Sequence, residues 1–66
     1  MGTITIINGT SDTIAVSISG GDPTPKQIPP GGQASWEREN QEVATIAKRT
    51  DIQKLVVEPG GTYTIT

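Results

Sequence analysis

The chain has 66 residues, a formal net charge of −2, no cysteine and no histidine, and a single tryptophan and tyrosine with no phenylalanine. A chain of this size forms one domain, here residues 1–66, and folding removes only about 60% of its surface from water. Disulfide staples, thiolate chemistry and the usual zinc ligands are excluded, so an efficient core or partner subunits must supply the missing stability.

Lys26, Arg38, Lys48, Arg49 and Lys54 are scattered along the chain rather than gathered into a basic stripe, which argues against nucleic acid as a partner. No window approaches the length of an apolar membrane span, and the first residues lack the charged and apolar regions of a signal peptide. The expectation is a soluble domain whose compartment is not encoded.

In chain order, Thr3 to Asn8 alternates β-branched residues until Ile7 places an apolar group on the opposite face, which predicts a strand. Asn8 to Asp12 carries turn chemistry, and a hairpin to the next strand is the natural expectation. Thr13 to Ser19 alternates cleanly, with Ile14, Val16 and Ile18 on the inward face. Gly20 to Gly32 holds four of the five prolines, each removing a backbone donor, so it reads as an extended excursion that either carries function or crosses between sheets. Within it Lys26 to Ile28 is expected to add briefly to a sheet edge, with Ile28 turned inward.

Gln33 to Glu39 sets Ala34, Trp36 and Arg38 on one face against Ser35, Glu37 and Glu39 on the other. Glu42 to Arg49 mixes helix formers with Val43, Thr45 and Ile46; its short length and its place between turn signals predict a strand. Ile52 to Val57 ends in Leu55, Val56 and Val57, an apolar run that predicts burial on both faces. Thr62 to Thr66 closes the chain with Tyr63 and Ile65 inward.

Two segments, Ile28 to Glu37 and Val57 to Thr66, share one plan: a branched apolar residue, a Pro-Gly-Gly turn, then an alternating strand about thirty residues from its counterpart. Gly2 to Ile6 matches the strand part of the second copy. Six to seven short strands without a convincing helix define an all-β fold, a small antiparallel β-sandwich or barrel with room for pseudo-symmetry. Because the first and last strands read alike and stand at the ends of the chain, either could be an edge. A flat, uncharged edge such as TITIIN invites pairing with a second copy, so a homo-oligomer is expected.

Chemistry-bearing residues are sparse. Glu37 and Glu39 lie two apart on a strand, roughly 7 Å from each other, close to the spacing of paired glycosidase carboxylates. So short a chain hardly walls the cleft that would desolvate one of them, and the serines and threonines have no evident base; no enzyme is expected. No cofactor or metal is assigned, the one oxygen-ligand grouping being Asp22 with Asp12 or Asp51.

Trp36 reads first as core. At a rim, its flat face, flanked by Gln33, Glu37 and Arg38 and joined by Asp22 and Lys26 of the proline-rich loop, makes a candidate ligand-binding group. The function expected is a non-enzymatic binding module, an oligomeric lectin-like domain that recognises a glycan or a protein surface. A self-assembling structural protein, or an inhibitor using the stiff loop 22–30, are the alternatives.

Overall fold

Alternation of β-branched and small polar residues favours extended chain with one apolar face, and the computed structural model, which describes residues 2–66, bears this out along its length. Seven strands form, with no helix among the described residues: β1 (Gly2–Asn8), β2 (Ile14–Ile18), β3 (Lys26–Ile28), β4 (Gln33–Arg38), β5 (Glu42–Ala47), β6 (Ile52–Val57) and β7 (Thr62–Ile65). They build two sheets, one ordered β4-β1-β7 and the other β3-β2-β5-β6. Every strand sends at least one residue into the shared core: Ile4 and Ile6, then Ile14, Val16 and Ile18, then Ile28, Trp36, Ala44, Ile46, Val57 and Ile65. The fold is a small all-β sandwich. The segment Glu42 to Arg49 is strand over its first six residues, as its position between turns predicts.

Pairing is antiparallel throughout except between β1 and β7, which run parallel from Thr5 beside Thr62 to Asn8 beside Ile65. The three segments of similar sequence, β1, β4 and β7, therefore stand side by side in one sheet.

Both Pro-Gly-Gly segments do the same job. In each, the second glycine donates its N–H to the residue before the turn's proline, Gly32 to Pro29 at 2.9 Å and Gly61 to Glu58 at 3.0 Å. Gly31 and Gly60, at φ 77° and 87°, hold the position of a type II turn that needs left-handed backbone. Each turn lifts the chain out of the four-stranded sheet and delivers it to the three-stranded one. The glycines then bond to β1 at its two ends, Gly31 N–H to the Asn8 carbonyl and Gly60 N–H to the Thr3 carbonyl, both at 2.9 Å.

Three expectations are corrected. β1 and β2 lie in different sheets, so Asn8 to Asp12 is an arch and not a hairpin turn. The reason is Asn8, whose side chain is fully buried between the layers. Its amide donates to the carbonyls of Asp12 (2.7 Å) and Ile28 (2.9 Å), and its Oδ1 accepts from the Thr10 N–H (2.9 Å) and hydroxyl (2.6 Å). Two donors and two lone pairs are all used, which pins the arch over the end of the sandwich.

Next, β1 is the centre of its sheet and not an edge, because it accepts neighbours on both sides. Finally, the apolar run ending β6 is not buried on both faces. Val57 is buried, while Val56 and Ile52 are 54% and 66% exposed on the outer face, Val56 beside Val43 at 42%.

Candidate functional site

The residues singled out in the sequence divide between two surfaces. Gln33 and Glu37 point outward from β4, opposite Ile7 and Thr3 of β1, on a flat face of hydroxyl-bearing side chains. Trp36 points inward and is only 5% exposed, so the rim placement gives way to the core one. Its indole N–H is buried without an acceptor among the described residues.

Lys26 closes the remaining side. Its ammonium stands 4.8 Å from the centre of the Trp36 ring and donates to the Ser35 carbonyl at 2.7 Å. A cation in that position covers the ring and leaves no open platform for stacking.

Arg38 is committed in the same way. It donates to the carbonyls of Ser19 (2.9 Å), Ile18 (3.0 Å) and Glu37 (2.8 Å), and more distantly to that of Asp22 (3.4 Å). A guanidinium carries five N–H donors in a fixed fork, and here the fork ties the end of β2 and the loop after it to β4. Asp22 accepts the Thr24 N–H at 2.9 Å, and this bond, more than the nearby charges of Arg38 and Lys26, holds its carboxyl below the ordinary aspartate value. Asp22, Lys26, Trp36 and Arg38 thus do assemble on one side of the sandwich, as a clamp on the proline-rich loop.

A different place is shaped to receive something. At the opposite end of β2, a cleft of about 280 Å³ opens between the β1–β2 arch, the β5–β6 hairpin turn and the end of β7. Asp12 and Thr10 line it from the arch, Lys48, Arg49, Thr50 and Asp51 from the hairpin turn, Thr66 from the chain end, and Ile14 from the core.

Each wall is held by its own bonds. The Asn8 network fixes the arch. The Lys48 N–H donates to the Asp51 carbonyl at 2.8 Å, closing the hairpin turn, and the Asp51 carboxylate accepts the Ile52 N–H at 3.0 Å. The Lys48 ammonium reaches the Thr66 carbonyl at 3.5 Å. The Arg49 guanidinium and the Asp12 carboxylate are exposed; among the described residues the first donates no hydrogen bond and the second accepts none, so both are available to a ligand.

Sequence reasoning placed no site here, although it grouped Asp22 with Asp12 or Asp51 as oxygen donors. The fold brings Asp12 and Asp51 together and sends Asp22 to the far end of β2. The available signal was the run Lys48-Arg49-Thr50-Asp51, four polar residues in one turn; the arch that faces it is a tertiary feature.

Comparison with known proteins finds no matching family model, no matching curated protein and no matching solved structure.

Proposed function

We propose that this chain is a non-enzymatic, lectin-like binding domain that holds one sugar-sized group in the cleft between the arch and the β5–β6 turn, and that works as a homo-oligomer. The observation that carries this reading is the convergence of two carboxylates, Asp12 and Asp51, two cations, Lys48 and Arg49, and three threonines around one cleft. A sugar hydroxyl both donates and accepts, so neighbouring carboxylates and cations satisfy both halves of it. The cleft lies just under the roughly 300–1,000 Å³ of drug-sized sites, which suits a single ring.

With Trp36 buried, no aromatic platform adds affinity, and each site is expected to be weak. Several weak sites on one oligomer reach useful strength through effective concentration. The absence of histidine and cysteine from the sequence leaves the serines and threonines without an evident activating base, which supports binding over catalysis.

A glycan array probed with the intact protein tests this, followed by titration calorimetry with Arg49→Ala and Asp12→Asn. Neither side chain hydrogen-bonds to another of the described residues, so both variants should keep the wild-type circular dichroism while losing at least about tenfold in affinity, as loss of one charge-assisted bond implies. An array without binders, or binding that neither substitution alters, rejects the cleft as a glycan site.

A further inference from the structure

Asn8 is followed by Gly9, whereas the other asparagine of the chain, Asn40, is followed by Gln41. Glycine has no Cβ to shield its backbone nitrogen from the preceding side chain, and its conformational freedom lets the two approach. In an unfolded chain an Asn-Gly pair is therefore prone to deamidation. The Gly9 nitrogen attacks Asn8 Cγ; the N–Cγ bond forms, the Cγ–Nδ2 bond breaks, and Nδ2 leaves as ammonia with the Gly9 proton. Water then opens the five-membered imide. Opening at Cγ gives aspartate, and opening at the former Asn8 carbonyl carbon gives isoaspartate, in which the main chain runs through the side chain.

The fold holds every group that this reaction has to move. Asn8 is the last residue of β1, and extended backbone turns the following nitrogen away from the side chain with which it would close a ring. The Gly9 N–H donates to the Ile65 carbonyl at 2.7 Å, and the Asn8 carbonyl accepts the Gly31 N–H at 2.9 Å. Rotation about the Asn8 Cα–C bond, the first motion toward the ring, breaks both. The side-chain amide is tied by its four hydrogen bonds and is fully buried, away from the water that the second step consumes.

We propose that Asn8-Gly9 is a latent deamidation site that only the opened chain can use, and that the step is one-way, because a chain deamidated at residue 8 does not regain the fold. Either product replaces the amide by a carboxylate, which accepts hydrogen bonds and donates none. The Thr10 donors would still be met, but the carbonyls of Asp12 and Ile28, which receive the amide N–H groups at 2.7 and 2.9 Å, would face oxygen. The new charge would lie in a fully buried place that no cation bonds among the described residues, a costly arrangement. Isoaspartate also lengthens the main chain where β1 ends beside Ile65, so the Gly9 bond falls out of register. The arch is one wall of the cleft, so deamidation retires the cleft together with the fold, whatever the cleft binds.

Because the folded chain is inert, the observed rate is the unfolded-chain rate multiplied by the fraction of open molecules. Incubation of the intact protein in mildly alkaline buffer, with and without urea beyond the unfolding midpoint, tests this by mass spectrometry of tryptic peptides. Cleavage after Lys26 and Arg38 puts Asn8 and the exposed Asn40 on separate peptides. Asn8 should convert at least about a hundredfold faster in urea than without it, while Asn40 should change by less than about tenfold. Ile46→Val, which enlarges the open fraction, should speed the Asn8 reaction in the absence of urea.

Material deamidated at residue 8 and diluted from urea should keep the circular dichroism of an unfolded chain, while unreacted chain taken through the same steps refolds. Asn8→Asp supplies the aspartate product in homogeneous form and should populate less folded chain than Asn8→Ala does, since only the former adds a buried charge. An Asn8 that converts without urea within about tenfold of its rate in urea overturns the protection by the fold. A deamidated chain that regains the wild-type spectrum, or an Asn8→Asp variant as well folded as Asn8→Ala, overturns the one-way step.

Discussion

Asn8 does more for this fold than any other polar residue, and its role follows from counting donors and acceptors. Its four hydrogen bonds join the end of β1 to the arch and to the last residue of β3. Removing the side chain takes one donor from each of the Ile28 and Asp12 carbonyls and the acceptor from the Thr10 N–H and hydroxyl, and each such bond contributes about 0.5–1.5 kcal/mol. Asn8→Ala should lower the urea midpoint with the denaturant slope unchanged, by a total of about 3 kcal/mol once the loosened arch is included. A loss below about 0.5 kcal/mol would show that the arch holds without it. Because the arch is one wall of the cleft, the same variant should also weaken glycan binding.

The turn that the chain uses twice invites a comparison in which each copy controls for the other. A Cβ added at Gly31 or Gly60 meets nothing within 4 Å, so only the left-handed backbone opposes substitution. Gly61 is different: a Cβ there would lie 2.6 Å from the Tyr63 hydroxyl, which accepts the Glu58 N–H at 2.9 Å and folds the tyrosine over its own turn. Gly31→Ala and Gly60→Ala should each cost about 1–2 kcal/mol by thermal or urea unfolding, and Asn at the same positions should cost less, since it tolerates that conformation better. Gly61→Ala should cost a similar amount by displacing Tyr63, and Tyr63→Leu, which removes the obstructing hydroxyl, should recover part of that loss. Equal costs for Ala and Asn at Gly31 and Gly60 would remove the conformational explanation.

At the scale of the molecule, eleven apolar residues carry the core, and seven of them are isoleucine. A core in a domain this small rarely yields more than about 3–5 kcal/mol of net stability. Ile46 is fully buried, and truncating such a residue to alanine costs about 2–5 kcal/mol. Ile46→Ala should therefore populate the unfolded chain at room temperature, while Ile46→Val, at about 1 kcal/mol, should remain folded with a lowered melting midpoint. Circular dichroism melts of the two variants separate these outcomes. Association of the proposed homo-oligomer stabilises the folded state by mass action, so both midpoints should rise with protein concentration.

The strands themselves were legible in the sequence, because a period of two in β-branched residues and the chemistry of glycine and proline act over a few neighbours. Ile14, Val16 and Ile18 inward, Ile28 as the pin of the loop and the two Pro-Gly-Gly turns all follow from such local rules. Which strands become neighbours was not legible. A turn such as Asn8 to Asp12 has similar composition whether it reverses a hairpin or arches between sheets, and only the burial of Asn8 against Ile28, twenty residues away, chose the arch. For the same reason the central place of β1, the exposure of Val56, the covering of Trp36 by Lys26 and the cleft between Asp12 and Arg49 belong to the tertiary structure. Local periodicity determined which faces are apolar; long-range pairing decided which of those faces are covered.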